Sequence, residues 1–388
     1  MDEFDIKEIT RMDTKVEGAQ ITAIGVGGGG GNMINHMITE GNADINLIAA
    51  NTDAQALSTN LANSKLQLGI NATRGLGAGM QPEKGRDAAL ESFEETKKAL
   101  DGSDIVFISA GLGGGTGTGA APIIAQAAKD VGALTVSVVT TPFKFEGRKR
   151  TKLALAGLDE LKQESDCIII VPNERLLSIV EKNLGMKESF RLVDDILSQA
   201  VGGISNVILS HGENDINLDF ADVKTVMSHK GMALMGVGQS DGGGAAINAA
   251  KMAMESPLLN DVSINGAMGI LVHFHINPEY PMLEMSDAME TIEENADEDA
   301  NVIFGTTTDE SLPIDAVQLT IIATGFEAKD LEKMKSVSAS TSKSSKKQTI
   351  DKPIPRDLFN RERMVVNGAS AKGDDHLDIP TFLRRQMD

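Results

Sequence analysis

Two glycine-rich loops carry the residues best suited to chemistry in this 388-residue chain. Gly25-Val-Gly27-Gly28-Gly29-Gly30-Gly31-Asn32 follows the β-rich run 21–26, and Gly113-Gly114-Gly115-Thr116-Gly117-Thr118-Gly119 follows the β-rich run 105–110. Without side-chain bulk, successive backbone N–H groups can curl around an anion, and a helix starting after each loop adds the positive end of its dipole. Taken alone, Gly25-x-Gly27-x-x-Gly30 matches a dinucleotide fingerprint, with Asp53 closing the next strand where a ribose carboxylate would stand. That keeps an NAD-dependent oxidoreductase open, although His273 and His275 on one strand face offer no convincing hydride-transfer site. The second loop shifts the balance, because a dinucleotide fold does not need it and two such loops suit a triphosphate. The chain has no Gly-Lys dipeptide, hence no P-loop lysine, and no Asn-Lys-x-Asp guanine reader.

The elements that must position these loops follow from the apolar patterning. Short β-rich runs at 21–26, 45–51, 105–110, 134–140 and 167–171 alternate with helical segments such as 149–164. The spacing predicts an α/β fold with a mostly parallel, Rossmann-like sheet and helices on both faces. Ligands in such folds bind at the carboxyl ends of the strands, where both glycine loops fall. Apolar residues from Phe190 to Ile208 recur at three- and four-residue steps, which predicts one long helix over 187–210. A helix-like 242–254, strands at 269–276, 302–307 and 317–324, and an acidic helix around 286–300 suggest a smaller α+β domain. Between Glu284 and Asp299 stand eight acidic residues and no basic one, read as a solvated helix face.

On the long helix Phe190 and Asp194 are four residues apart and share a face. A ring there could stack on a base while the carboxylate, which only accepts, received two donors. Guanine presents N1–H and N2–H₂; adenine presents a bare N1 and would leave the carboxylate unpaired. Phe190 fits equally well as a core residue of an amphipathic helix.

Charge excludes other classes. The chain holds 36 Lys+Arg against 56 Asp+Glu, a net −20. Residues 333–388 carry 12 basic and 7 acidic side chains, so the tail is +5 and the body −25. A body that acidic, with 3% aromatics and no Trp, is not expected to bind nucleic acid. The single Cys167 and the acidic start MDEFDIKEIT suggest a reducing, cytoplasmic setting. The uncharged stretch 105–128 is broken by glycines and threonines, so no membrane insertion is expected. Beyond Lys329 the periodicity stops, and a Ser/Lys-rich segment followed by Pro353 and Pro355 reads as a disordered linker. Some 45 flexible residues would reach on the order of 40 Å. The last segment regains apolar residues, with Ile379, Phe382 and Leu383 at i, i+3, i+4, as in a short docking peptide.

Seven motifs in order carry a resemblance to the FtsZ family of bacterial tubulin-like cell-division GTPases. They are Gly27–Asn32, Asn51-Thr-Asp53, Gly113–Gly119, Thr140-Thr-Pro142-Phe-Lys-Phe-Glu146-Gly-Arg-Lys-Arg150, Val171-Pro-Asn173, Asn217-Leu-Asp219-Phe-Ala-Asp222 and the tail 378–385. The match runs from about 18 to 327 and resumes at the tail, with a lead-in at 211–216 longer and more acidic than usual. The implied organisation is a flexible extension (1–17), a GTP-binding domain (18–186), a central helix (187–210) and a C-terminal α+β domain with a catalytic loop (211–328). A linker (329–373) and an adaptor-binding tail (374–388) follow.

The resemblance also implies roles. Gly27, Gly28, Gly29, Gly30, Gly31 and Asn32 would cradle the inner phosphates. Gly113, Gly114, Gly115, Thr116, Gly117, Thr118 and Gly119 would hold the phosphates and the Mg²⁺ region, and Gly77, Ala78 and Gly79 the γ-phosphate. Asn51 and Asp53 would lie near phosphates and Mg²⁺. Pro142, Glu146 and Arg150 would reach ribose and phosphate, and Asn173, Phe190 and Asp194 the base. No residue is assigned as a direct metal ligand, since Mg²⁺ would bind through the phosphates. Asn217, Asp219 and Asp222 would complete the site of the next subunit, giving a head-to-tail homopolymer in which assembly activates hydrolysis of GTP to GDP. Acidic poles meeting at a triphosphate would call for Mg²⁺ and a monovalent cation. Asp378, Ile379, Pro380, Phe382, Leu383 and Arg384 would engage membrane-anchored division adaptors and assembly regulators at mid-cell. A non-catalytic GTP-binding scaffold is the remaining alternative.

Overall fold

The computed structural model describes residues 18–40, 45–176, 185–209, 216, 218–229, 231–256, 258–259 and 264–326. The N-terminal extension, the linker, the tail with its six proposed adaptor residues, Asn217 and most of the 211–216 lead-in lie outside them.

Strand β1 (Ile21–Val26) runs straight into α1 (Gly27–Thr39), and β2 (Asn46–Asn51), α2 (Ala54–Thr59), β3 (Ser64–Gln67) and α3 (Ile70–Thr73) follow. Then come α4 (Pro82–Glu91), α5 (Phe93–Leu100), β4 (Ile105–Gly111), α6 (Thr116–Asp130), β5 (Leu134–Thr141), α7 (Arg148–Glu164), β6 (Cys167–Pro172) and α8 (Asn173–Leu176). The long α9 (Met186–Leu209) leads to α10 (Phe220–Met227), β7 (Gly231–Ser240), α11 (Ala245–Met254), β8 (Gly269–Ile276), α12 (Met282–Glu293), β9 (Asn301–Thr308) and β10 (Val317–Phe326).

All ten strands form one sheet in the order β3-β2-β1-β4-β5-β6-β7-β10-β8-β9. From β3 to β7 neighbours are parallel, and β10 lies antiparallel between β7 and β8. The expected smaller α+β half is thus continuous with the first sheet through the Cys167↔Gly231 register.

Helices cover both faces, as the two-sided apolar strands require. On one face Met33, Ile34 and Met37 of α1 join Val193, Ile196, Leu197, Ala200, Val201 and Ile204 of α9 in one core. On the other, Ala120, Ile123 and Ile124 of α6 pack with Ala154, Leu158 and Leu161 of α7. By length and composition α9 could cross a membrane, but two-thirds of its apolar window is buried inside the fold, as befits a core helix. The uncharged stretch 105–128 is a strand, a loop and part of a helix.

Two expectations shift. The glycine runs are not turns ahead of helices: α1 begins at Gly27 and α6 at Thr116. The acidic helix lies earlier than expected, at Met282–Glu293.

Candidate functional site

Because β1 and β4 are adjacent and parallel, α1 and α6 start side by side at the carboxyl edge of the sheet. Neither helix has a side-chain cap: Val26 and Gly115 hold the cap positions without a side-chain hydrogen bond. First-turn N–H groups are therefore free for a ligand, with two positive dipole ends behind them. The glycines permit close approach. A Cβ on Gly30 would lie 2.2 Å from Ser109 O, and one on Gly115 would lie 2.2 Å from Gly79 O, so the loops 73–79 and 113–119 touch backbone to backbone.

These features open onto a cleft of ≈ 530 Å³. Of the 24 residues expected to hold nucleotide, 18 stand on its wall: Gly28, Gly29, Asn32, Asn51, Asp53, Gly77, Ala78, Gly79, Gly114, Gly115, Thr116, Gly117, Pro142, Glu146, Arg150, Asn173, Phe190 and Asp194. The other six stand off the wall. Gly27 and Gly31 line a smaller cavity of ≈ 110 Å³ beside it, and Gly30 packs on Ser109 O. Gly113 N donates to Thr118 Oγ1 at 2.8 Å, closing the loop, and a Cβ on Gly119 would lie 1.9 Å from Pro82 O, where α4 crosses α6.

Among the wall residues, Arg150 is the one cation, against the carboxylates of Asp53, Glu146 and Asp194. Its guanidinium pairs with Glu146 Oε2, whose partner oxygen Oε1 accepts from Phe143 N at 2.9 Å. Asp53 Oδ1 accepts from Gln55 N (2.9 Å) and Ala56 N (3.1 Å), capping α2. A triphosphate here would meet backbone amides rather than side-chain cations, so a divalent cation suits the balance of charge.

The base end differs. Asn173 is 5% exposed, and its Oδ1 has no hydrogen-bond partner among the described residues. A buried orphan acceptor costs about 1–3 kcal/mol until a donor reaches it. Burial pushes the Asp194 carboxyl up to about 6, with His36 pulling it down and Asp195 pushing it further up. Phe190, 40% exposed, lies on the cleft wall with its ring edge-on to Phe143 at 5.5 Å, so it is a surface aromatic, not a core residue. The two acceptors, Asn173 Oδ1 and Asp194, suit a donor-rich base edge.

Ala56, Leu76, Gly111, Leu112, Thr140, Val193 and Leu197 complete the wall, and none of them was assigned a nucleotide role from the sequence. Val193 and Leu197 follow Phe190 at i+3 and i+7 in the apolar periodicity that marks the long helix, and that signal alone does not separate the cleft wall from the core.

Asp219 and Asp222 are exposed, at the N-cap and in the first turn of α10, and neither lines the cleft. At 1.5 Å per residue, the 15 steps along α9 from Asp194 to Leu209 alone span roughly 23 Å.

A model of the Tubulin/FtsZ family GTPase domain matches residues 20–181, and one of the FtsZ family C-terminal domain matches residues 231–327. An empty FtsZ dimer from M. jannaschii is 44% identical over 80% of this chain and 89% of its own, with a TM-score of 0.76. The chain belongs to the FtsZ family. A point mutant of M. jannaschii FtsZ is likewise 44% identical, over 80% of this chain and 92% of its own, at 0.76. A GTPγS-bound protofilament of CetZ2 from Haloferax volcanii, 22% identical over 83% of this chain and 99% of its own at 0.67, shares the fold. As an FtsZ-type chain it is a tubulin-like, polymerising GTPase that takes GTP and GDP. The oxidoreductase and the non-catalytic scaffold find no support: the residue 25–30 fingerprint belongs to a GTPase domain.

Proposed function

We propose that the cleft binds GTP with its phosphates on loops 27–31, 73–79 and 113–119 and its base against Asn173, Phe190 and Asp194. Hydrolysis then requires Asn217, Asp219 and Asp222 from a second copy stacked head to tail. One separation supports this reading. The cleft wall carries groups suited to phosphates and base, with Asp53 capping α2 through Oδ1, Glu146 paired to Arg150 and Asp194 at the base end, while Asp219 and Asp222 lie exposed and off that wall. A heterologous contact of this kind propagates into an open filament.

Mg²⁺ bound through the phosphates would neutralise charge at the triphosphate, with Asn51, Asp53 and Thr116 on the adjacent wall. A monovalent cation would ease the meeting of acidic poles. The chain's own contribution is positioning: backbone amides fix the phosphates, Asn173 and Asp194 select guanine, and the incoming carboxylates orient and polarise water. The assignments of 18–186 as GTP-binding domain, 187–210 as central helix and 211–328 as C-terminal domain belong to the same proposal. So do a linker at 329–373, a tail at 374–388 that docks membrane-anchored adaptors, and work in the cytoplasm at mid-cell.

Phosphate release measured across a protein-concentration series tests the shared site. Specific activity should show a threshold and rise above it, and a flat profile would overturn the mechanism.

A further inference from the structure

The C-terminal half of α1 and the middle of α9 meet at a second polar cluster, off the wall of the cleft. His36 Nε2 lies 2.9 Å from Glu40 Oε1, one helical turn on, and 2.7 Å from Asp195 Oδ1 on the facing helix. The donor atoms of the three residues all lie within 4.8 Å of one another, the one such group among the described residues. Nε2 is buried and, despite these two short separations, makes no hydrogen bond of standard geometry. Glu40 Oε2 accepts from Ser198 Oγ at 2.8 Å, so α9 also orients the Glu40 carboxylate from behind.

An ion pair alone explains this arrangement poorly, because one N–H would serve two carboxylates with a standard hydrogen bond to neither. A cation shared by all three explains it better. One imidazole and two carboxylates form an N/O donor set for a borderline divalent ion, and the serine behind Glu40 is the kind of outer partner that fixes a metal-binding carboxylate. Zinc bonds of about 2.0–2.2 Å set neighbouring tetrahedral donors roughly 3.3 Å apart. The two separations from His36 Nε2 need to open by only about half an ångström at that scale, the two carboxylates already lie within 4.8 Å of each other, and the Glu40 side chain, 47% exposed, has room to move.

We propose that His36, Glu40 and Asp195 bind a divalent cation of the Zn²⁺ type that clasps α1 to α9. The site is separate from any Mg²⁺ on the phosphates, since none of the three residues lines the cleft. Its position gives it leverage: α1 starts at the phosphate loop, and Asp195 follows Asp194 on the helix that faces the base. A clasped pair holds both ends of the nucleotide cleft in fixed register.

The test uses the full chain stripped of nucleotide and treated with chelator, with Co²⁺ as a visible-absorption probe. Wild type should show a saturable low-symmetry Co²⁺ spectrum at one equivalent, displaced by Zn²⁺, and Zn²⁺ should raise its thermal midpoint. His36→Ala and Asp195→Asn should each weaken Co²⁺ binding at least tenfold and abolish the thermal shift; Ser198→Ala should weaken it about tenfold. Should His36→Ala fail to fold, Glu40→Gln at the more exposed ligand should still show the loss. His273→Ala/His275→Ala should bind as wild type does. Unchanged titrations in the cluster variants, loss only in the His273/His275 variant, or no saturable binding in wild type at millimolar Co²⁺ or Zn²⁺ would each overturn the site.

Discussion

The two ends of α9 are built on opposite plans. At its N-terminal end Phe190 and Asp194 face a cleft already shaped by two uncapped helix starts, three touching loops and a buried orphan amide oxygen. Beyond its C-terminal end Asp219 and Asp222 stand in solvent, and Asp219 caps α10 without using its side chain. One end is preorganised for a ligand, and the other is left unpaired until something arrives. A division of this kind suits an enzyme whose binding and chemistry belong to different copies.

Asp219→Ala is the most direct way to break that comparison. Under the proposed shared site, losing this carboxylate should lower turnover by about 10²–10³-fold while leaving GTP affinity unchanged. Turnover and nucleotide binding measured on the same preparation check it, and a variant that hydrolyses normally as filaments would sink the shared site. Next in size comes the phosphate end. In Gly115→Ala the new Cβ meets Gly79 O, so the loops must part, and both stability and GTP affinity should fall, the former by about 1–3 kcal/mol. Gly28 lines the cleft in α1 with nothing within 4 Å of a built Cβ. Gly28→Ala should therefore keep or gain up to about 1 kcal/mol of nucleotide-free stability from helix propensity, yet bind GTP at least tenfold more weakly. Denaturant melts beside nucleotide titrations separate the two glycines.

The preorganised end was the more legible one, for physical reasons. Glycine runs after apolar β segments mark strand ends wherever backbone must approach a ligand, and the wall residues there are close in sequence. The helix starts inside those runs were less visible, because glycine lowers helix propensity even though first-turn N–H groups need no partner of their own. Strand β7 was missed for a related reason. Its Gly236 and Gly238 depress β propensity, but a Cβ at either would lie 2.1 or 1.9 Å from Ala253 O or Ala249 O of α11. The short side chain that hides the strand lets the helix lie against it. The β6–β7 pairing joins segments some sixty residues apart, and no local pattern announces it. For Asp219 and Asp222 the signal was the family motif alone, since the contact proposed for them between copies would leave no periodicity in one chain.

Asp194→Asn probes the base end through stability and specificity together. With the folded carboxyl near 6 and an unfolded value near 3.8, the native state holds the proton more tightly between those values. Nucleotide-free stability therefore falls as pH rises through that window and stays reduced above it. Asn removes that cost, so the variant should gain about 1–3 kcal/mol at pH 7 while losing its preference for GTP over ATP. GTP affinity of the parent chain should weaken as pH drops below about 6, where the carboxylate takes up its proton. Unchanged stability would mean that Asp194 is already compensated, and unchanged specificity would move guanine selection to Asn173.

Phe190→Ala should have the smallest effect, and its smallness is informative. The side chain is 40% exposed and meets Phe143 only edge-on, so truncation should cost little stability, within about 1 kcal/mol. A ring stacked on a base contributes on the order of 1–3 kcal/mol to nucleic-acid binding, and a solvent-edged ring should fall at the low end. GTP and ATP should both bind about three- to tenfold more weakly, with their ratio unchanged, because every base has a π-face. A large drop in melting temperature would instead make Phe190 a core residue of α9, and the base end would then rest on Asn173 and Asp194 alone.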